Sequence, residues 1–515
     1  MFIRKKVNRS GTTSVIVVDK SRKRFREVKC IGVSSDTNVI AEFERMGSQW
    51  IKDHIDSTEL DLFDQQDKRE KSRKAAIDFL NNIDSVLING TQLIISKAFD
   101  SIGFNIVKDD IFKSLVIARL CEPSSKTATA DYLQSYYDED FKLHNIYRYL
   151  DKLQSSQQDT IQEVSVAHTR KVLGGSLGVV FYDVTTLYFE TDNELDLKNN
   201  GFSKDGKHSN PQIVLGLLVS MGVYPLSYSI FKGNQYEGYT MIPVIDEFVR
   251  KFSLNDFVVV ADSGLINATN ILLLEQAGYK YIIGNRIKNE SDAVKGWILA
   301  QEKADKQFWE YSRQPGQRLI LSYTDKRARK DACNRRKGIA RLEKSYKSGV
   351  VNKENINKRG YNKFLELAQD VGISINYDKI KDDERWDGLK GYVTNTDLPA
   401  SSVYEQYQGL WQVEQSFRIA KSTLEIRPVF LFNEKRIEAH ICICFVALKV
   451  HREIERRLQK SGIKLSVDKV IKIAKTITTV KIYLPDIDEY VTKTLLLTPK
   501  HRTIERLFND DFWID

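Results

Sequence analysis

The sequence predicts an α/β protein, and two observations lead to this fold class. Two apolar, β-branched runs each lead into an aspartate, GGSLGVVFYD into Asp183 and DFVVVAD into Asp262. Amphipathic helical patterns follow at MIPVIDEFVRKF (241–252) and INATNILLLEQAG (266–278). Buried strands that alternate with helices are typical of a sheet covered on both faces.

The order of the elements narrows the fold class. Two further strands are predicted at QIVLGLLVS (212–220) and YPLSYSIF (224–231), and a fifth at YKYIIG (279–284). The order is strand, strand, strand, helix, strand, helix, strand, which is the strand order of a ribonuclease H-like fold. Residues 171–287 are therefore predicted to form the first part of such a core, with both aspartates where buried strands end.

The regions before this core have a different character. Residues 1–35 contain two strand-like runs and predict a β-hairpin region. Residues 36–170 predict a mainly helical region. A bundle of short helices with scattered Lys and Arg suits DNA binding, and a plain helical packing domain fits the pattern equally well.

The regions after the core include an interruption. An inserted domain is predicted for residues 288–395. The second part of the core is predicted for residues 396–450, and a C-terminal helical region for residues 451–515. The insertion carries ten Lys or Arg between 326 and 347. This basic segment, which contains Arg335, Arg336 and Lys337, is either a solvated helix or a DNA-binding arm.

Composition excludes several classes of protein. The chain has 515 residues, 78 Lys plus Arg against 69 Asp plus Glu, and five cysteines without a C-x-x-C pair. The odd cysteine count argues against a disulfide framework, and the net charge of +9 is compatible with a polyanionic partner. No apolar run is long enough to span a bilayer, and the N-terminus lacks a signal-peptide pattern, so we expect a cytoplasmic protein without a membrane partner.

The two aspartates are the first candidates for chemistry. In open α/β sheets, ligands gather at the carboxyl ends of the strands. Two carboxylates that converge there repel each other unless a proton or a cation intervenes, and Mg²⁺ or Mn²⁺ takes oxygen ligands of this kind. The alternative for Asp183 or Asp262 alone is a helix cap or a turn residue.

A predicted helix from about Ser402 to Leu424 supplies a third candidate acid. Five of its residues follow one another at steps of four, three, four and three, so they would share one helical face. An ordinary buried face would be apolar, whereas this one carries an acid, two bases and two aromatic residues: Tyr407, Trp411, Glu414, Arg418 and Lys421. A solvated face with a Glu414–Arg418 ion pair is the alternative.

The same segment carries a family resemblance. YQGLWQVEQSFRIAK (407–421) resembles the Y-x2-R-x3-E-x6-K signature of a large group of DDE-type insertion-sequence transposases. Tyr407, Glu414 and Lys421 match its spacing, whereas Leu410 stands where the signature has Arg. FYDVTTLYFE (181–190) and VVVADSGL (258–265) are similar to the two aspartate motifs of the group, and the resemblance covers roughly residues 100–450.

The resemblance implies a function. Asp183, Asp262 and Glu414 would be both the catalytic residues and the ligands of two Mg²⁺ or Mn²⁺ ions, for cleavage of transposon ends and their joining to target DNA. Tyr407 and Lys421 would contact the phosphate backbone, with Arg418 in place of the missing Arg. The partner would be double-stranded DNA, bound by a homodimer. Two alternatives remain: a ribonuclease H-like nuclease without strand transfer, and a DNA-binding protein descended from a transposase.

Overall fold

The chain divides into two units, which are described separately. The smaller contains residues 1–86 and 479–493, and the larger contains residues 87–478 and 494–515. This computed structural model describes the whole chain apart from residues 21–23, 191–195, 203–205, 207–208, 255–256, 266, 350–355, 358–359, 368–372, 428 and 515, and apart from the side chains of residues 55–67. No helix of the described chain is both long and apolar enough to cross a membrane.

The helices and strands are numbered in chain order. The strands are β1 Phe2–Val7, β2 Thr13–Asp19, β3 Arg26–Ser34, β4 Ile83–Leu87, β5 Gly178–Tyr188, β6 Gln212–Ser220, β7 Pro225–Lys232, β8 Phe257–Ala261, β9 Lys280–Asn285, β10 Gln307–Gln314, β11 Gln317–Tyr323, β12 Leu365–Leu367, β13 Ile373–Ile375, β14 Leu389–Thr394, β15 Thr478–Leu484 and β16 Glu489–Leu495. The helices are α1 Thr37–Asn81, α2 Gly90–Ile102, α3 Asp110–Cys121, α4 Lys126–Tyr137, α5 Leu143–Ser156, α6 Gln158–Val172, α7 Met241–Phe252, α8 Ala268–Gln276, α9 Asp292–Leu299, α10 Asp325–Lys347, α11 Tyr377–Glu384, α12 Ala400–Gln408, α13 Trp411–Ser422, α14 Glu434–Lys460, α15 Val467–Ala474 and α16 Pro499–Arg502.

The smaller unit contains two three-stranded sheets and one long helix. Strand β2 pairs antiparallel with both β1 and β3, so the predicted hairpin is present with an additional strand. The second sheet has the order β16-β15-β4. The prediction of a C-terminal helical region does not hold for TTVKIYL and EYVTKTL, whose β-branched and aromatic residues on either side of the turn at Pro485–Asp488 favour strands.

The larger unit is built on an eight-stranded mixed sheet of order β10-β11-β14-β9-β8-β5-β6-β7. Strands β5, β6 and β7 form an antiparallel meander, whereas β8 runs parallel to both β5 and β9. The α/β prediction is confirmed, and these five strands lie in the order that a ribonuclease H-like core requires.

Residues 288–395 do not stand apart from this sheet. Strands β10, β11 and β14 come from this range and extend the sheet beyond β9, with every new pairing antiparallel. The segment that lies outside the sheet is shorter. It contains α10, β12, β13 and α11, and it has a small core of its own formed by Leu342, Phe364, Leu365 and Ile380.

Alternating side chains of the sheet enter two different cores. Val179 and Phe181 of β5 pack in a core that includes residues of α12, α13 and α14. Val180 and Tyr182 pack on the opposite face, in a core that includes residues of α7 and α9. Odd-numbered residues of β5 therefore point towards α12 and α13, because side chains alternate along a strand.

Two predicted elements have different bounds in the structure. Strand β5 continues for five residues beyond Asp183, because its pairing with β6 extends to Tyr188 and Gln212. The predicted helix 402–424 is two helices, α12 and α13, which are separated at Gly409 and Leu410. A Cβ atom on Gly409 would lie 2.5 Å from the ring of Phe181, so the chain passes too close to β5 at this point for a larger residue.

Candidate active site

The two aspartates occupy equivalent positions on neighbouring parallel strands. The last pair in the register of β5 and β8 is Tyr182 with Ala261, so Asp183 and Asp262 are the next residues on the two chains. Asp183 lies two residues after Phe181, and Asp262 lies two residues after Val260. Phe181 and Val260 both pack in the core that includes α12 and α13. The two carboxylates therefore lie on one face of the sheet, where β8 ends and β5 continues alone beside β6.

Asp183 is half-buried, and one of its carboxylate oxygens accepts a hydrogen bond of 2.8 Å from the backbone N–H of Val184. Strand pairing with β6 fixes the backbone on both sides of this residue. The position of Asp183 is thus set by the sheet rather than by a flexible turn, which excludes the interpretation as a simple turn residue.

Asp262 is held by several donors. The Tyr407 hydroxyl donates a hydrogen bond of 2.8 Å to its Oδ1 atom. Burial alone would raise the pKa of Asp262, but this bond, the N–H groups of Ser263 and Gly264, and the charge of Lys390 together hold the pKa below its ordinary value. Asp262 is therefore ionised at neutral pH.

Lys390 is the cation of this site, and the sequence did not single it out. It belongs to β14, and its Nζ atom lies 4.5 Å from the centre of the Tyr407 ring. Burial lowers the pKa of Lys390, and the charge of Arg327 lowers it further, whereas Asp262 and Glu414 both raise it. Two of the three candidate acids therefore act on a single half-buried ammonium group.

Glu414 lies on α13, exposed to solvent, and α13 packs on β5 and β6. Trp411 and Arg418 are exposed on the same helix, and Lys421 is half-buried. Tyr407 does not share this face, because it belongs to α12, is only 5% exposed and has its hydroxyl on Asp262. The predicted single face of five residues is thus wrong for Tyr407, since the break at Gly409 separates it from the others.

Leu410, which replaces the arginine of the signature, is also buried, with 6% of its surface exposed. It lies in the junction between α12 and α13 and packs in the same core as Val413. An arginine at this position would have to bring its guanidinium out of the core to reach a phosphate. The apolar residue therefore fits the local packing of this chain.

The possible ligands of a divalent cation are only partly brought together at this site. Within the described ranges, no group of three or more Asp, Glu, His or Cys side chains is arranged to hold a metal ion. The structure brings Asp183 and Asp262 to neighbouring positions, whereas Glu414 stands on α13 and, like Asp262, raises the pKa of Lys390. Paired carboxylates with an ionised member are ligands of the kind that Mg²⁺ prefers.

A cleft of about 670 Å³ opens beside these residues. Its wall includes Ser263, the neighbour of Asp262, and Lys390. Five further cations line it from three different parts of the chain, Arg286, Lys288, Arg327, Arg335 and Lys363, and three aspartates of the same wall, Asp331, Asp383 and Asp387, pair with all of them except Arg286, so the cations remain in excess. The cleft therefore offers a positively charged surface next to the carboxylates.

The three residues of the basic helix α10 that are predicted to bind DNA lie in different environments. Arg336 and Lys337 are exposed. Arg335 is buried and forms a two-pronged ion pair with Asp387, with Nη2 and Oδ2 2.7 Å apart. The Arg335 guanidinium thus attaches α10 to the segment before β14, and the predicted contact of Arg335 with DNA would compete with this ion pair.

The fold and this site define a class: an α/β protein with paired acids on adjacent parallel strands, beside a cleft rich in cations. Residues 175–449 match the family model described as the transposase DDE domain. The match covers more than half of the chain, so the chain belongs to the DDE transposase family.

Two other comparisons add little. No curated protein matches the chain. Among solved structures, the chain is similar to a cryo-EM structure of a piggyBac transposase synaptic complex with hairpin DNA, at 9% identity and a TM-score of 0.39. That alignment covers 75% of this chain and 78% of the other.

Two members of the site, Lys390 and Arg327, were not found from the sequence. Lys390 directly precedes the predicted strand GYVTN, so its position beside a strand was visible but not its distance from Asp262. Arg327 was one of ten cations in the basic segment, with nothing in the pattern to distinguish it. Both come to the site because β14 pairs with β9, and α10 begins directly after β11, which pairs with β14.

Proposed function

We propose that this chain is a transposase that cuts transposon ends and joins them to target DNA, with Asp183, Asp262 and Glu414 as its catalytic acids. The observation that supports this most is the placement of Asp183 and Asp262 at matching positions on parallel strands, with Glu414 and Asp262 both acting on Lys390. Membership of the DDE transposase family supplies the reaction class.

The family generally depends on divalent metal ions, and we propose two Mg²⁺ or Mn²⁺ ions here. Asp183 and Asp262 are the residues that would hold metal, and Glu414 would complete the set from α13. When bound, such ions activate the attacking hydroxyl group and stabilise the leaving oxygen.

The side chains around the acids have separable tasks. Tyr407 helps to keep Asp262 ionised and fixes its orientation by donating to one of its oxygens. Lys390 places a positive charge where the negatively charged phosphate of the DNA would lie, and its partial burial strengthens that interaction. Arg418 and Lys421 on α13 are proposed to contact the neighbouring phosphates, as are Arg336 and Lys337 on α10.

The substrate is proposed to be double-stranded DNA, and the cleft beside Lys390 supports this. Cations contributed by several chain segments provide the sequence-independent attraction to phosphate on which DNA affinity largely depends. A synaptic homodimer is also proposed, because two transposon ends must be joined to one target in concert.

The test is an assay of cleavage and of joining, carried out side by side. DNA flanking the reading frame is the substrate for cleavage, and the same ends with pre-formed 3′-hydroxyl groups are the substrate for joining. We expect Asp262→Asn and Glu414→Gln to abolish both reactions in Mg²⁺ while gel-shift affinity for DNA is retained.

Asp246→Asn is the matched control, because Asp246 is an exposed acid of α7 on the other face of the sheet. Wild-type protein that cleaves but never joins would indicate a nuclease instead. Protein that binds DNA but does neither would indicate a DNA-binding descendant of a transposase.

A further inference from the structure

A second cavity, of about 160 Å³, lies among the helices of the larger unit and does not include the carboxylates of the site. Its wall is formed by the end of α3, the first turn of α4, the segment after α13 and the first part of α14. The residues that matter here are Arg119, Ser125, Lys126, Arg427 and His440.

Two cations of this cavity are buried. Arg119 is 6% exposed and Lys126 is 7% exposed. The Arg119 guanidinium donates one hydrogen bond of 3.0 Å to the backbone oxygen of Ser124, and the Lys126 ammonium lies 3.5 Å from Nδ1 of His440. Neither contact supplies a negative charge.

The electrostatic surroundings confirm the imbalance of charge. Burial lowers the pKa of Lys126 to about 7, and Arg119 contributes to this, with only the thiol of Cys444 acting in the other direction. Among the described residues that line the cavity, the one carboxylate is Glu425, which is exposed. Buried cations without a counter-charge destabilise a fold, so a site of this composition is suited to a negatively charged ligand.

The first turn of α4 adds donors of the same kind. This helix has twelve residues, and the Ser125 side chain caps it by accepting from the N–H of Ala128 at 3.2 Å. The N–H groups of Lys126 and Thr127 precede the first possible intrahelical acceptor, and both residues line the cavity. Helix N-termini carry partial positive charge and bind phosphate groups.

We propose that this cavity binds a phosphate group of the DNA backbone, with Arg119, Lys126 and the first turn of α4 as its ligands. The nature of the partner rests on the proposed function, because a transposase brings a phosphate backbone to this surface. The shape and charge of the cavity are independent of it.

The position of the cavity relative to the acids supports a backbone phosphate. Arg427 stacks on the ring of Tyr188, 5.5 Å from its centre, and Tyr188 is the last residue of β5. Tyr188 lies five residues beyond Asp183 along β5, or about 17 Å at roughly 3.3 Å per residue. The cavity and the acids are therefore close enough together to contact one stretch of duplex DNA.

The experiment uses the full chain without divalent metal, so that no cleavage occurs. One arm measures the thermal stability gained with inorganic phosphate over chloride at equal ionic strength. The other arm measures affinity for a short duplex of arbitrary sequence across a salt series. The variants are Lys126→Met and, in case its packing is poor, Lys126→Gln.

Two control variants accompany them. Lys449→Met removes another buried lysine, which does not line this cavity. The Lys449 ammonium group donates a hydrogen bond of 3.0 Å to the backbone oxygen of Ser165. Lys142→Met removes an exposed lysine that precedes α5.

We expect the Lys126 variants to lose the stabilisation by phosphate and to bind DNA about tenfold more weakly, because a hydrogen bond between two charged groups is lost. The salt slope should flatten by about 0.9 for one lost phosphate contact. The two controls should change neither quantity to this extent.

Two results would overturn the proposal. Unchanged response to both phosphate and DNA would show that the cavity binds no phosphate group. Lost response to phosphate with unchanged DNA affinity and salt slope would assign the cavity to a free phosphate compound instead. Neither result depends on cleavage, so failure here is distinguishable from failure of the proposed catalytic function.

Discussion

The hydroxyl group of Tyr407 on α12 donates a hydrogen bond of 2.8 Å to the carboxylate of Asp262 at the end of β8. Burial raises the pKa of Tyr407, and the negative charge of Asp262 raises it further, so the tyrosine remains protonated and acts only as a donor. A residue that the signature places on the DNA side of a helix is here a support for one of the acids.

This contact predicts the effect of Tyr407→Phe. Burial raises the pKa of Asp262, and the Tyr407 hydroxyl is one of the groups that lower it. Without this hydroxyl the pKa of Asp262 rises, so its charged form is lost at a higher pH than in the wild type. We expect the cleavage rate to fall about tenfold more between pH 8 and pH 5 in the variant than in the wild type, because the lost hydrogen bond is worth about 1.5–3 kcal/mol. Tyr404→Phe, on the same helix, is the control, and equal pH profiles for the two variants would contradict the prediction.

Removing Lys390 should change metal binding. A divalent cation at Asp262 is repelled by the ammonium group that lies among the same acids, so Lys390→Met is expected to bind Mn²⁺ several-fold to about tenfold more tightly. Binding can be measured by calorimetry without DNA. Lys288→Met is the control, since Lys288 lines the same cleft but is paired with Asp383 at 2.6 Å. Weaker Mn²⁺ binding in Lys390→Met would rule out competition between the two cations.

The basic helix α10 should separate stability from DNA affinity. Arg335→Ala leaves Asp387 without its partner and should lower the free energy of unfolding by about 3 kcal/mol, as measured in urea. The side chains of this pair are only 8% and 17% exposed.

The double variant Arg336→Ala, Lys337→Ala should have a free energy of unfolding within about 0.5 kcal/mol of the wild type. Its salt slope of DNA binding should be flatter by about two units. A salt slope equal to that of the wild type would show that this face of α10 is a solvated surface that does not contact DNA.

Lys126 predicts a pH dependence of stability. Its pKa is about 7 in the folded chain, below the ordinary value of 10.5, so between these values the unfolded chain binds more protons. The free energy of unfolding should therefore increase as the pH rises above 7. We expect Lys126→Met to reduce this increase between pH 7 and pH 8.5 by about 1 kcal/mol per pH unit. An unchanged slope in urea titrations would show that Lys126 is already charged when buried.

The homodimer can be tested by mixing. An excess of Asp183→Asn protein should suppress paired-end joining by wild-type protein well beyond simple dilution, because most assemblies would contain a defective chain. A loss in proportion to the wild-type fraction would indicate that each chain acts alone.

The central strands and both aspartates could be predicted because their signals are local. An apolar run that leads into Asp183 or Asp262 indicates a strand and a position near its end without knowledge of distant residues. The contacts of Lys390 and Arg335 could not be predicted in this way. They depend on β14 pairing with β9 and on α10 meeting Asp387, which are relationships between chain segments separated by about a hundred and about fifty residues.

The break between α12 and α13 was missed for a related reason. YEQYQGLWQVEQSF keeps a helical spacing throughout, and a single glycine is tolerated within a helical pattern. The approach of Gly409 to Phe181 decides the outcome, and that approach exists only once β5 is in place.

The extension of the sheet limits how this protein can be shortened. Deleting residues 288–395 would leave Asp183, Asp262 and Glu414 in the chain, yet β9 would become an unprotected edge strand, open to pairing with other molecules. The same deletion would remove Lys390 along with β14. A viable truncation would have to be confined to the stretch between β11 and β14, so length variation among descendants of this chain should concentrate there.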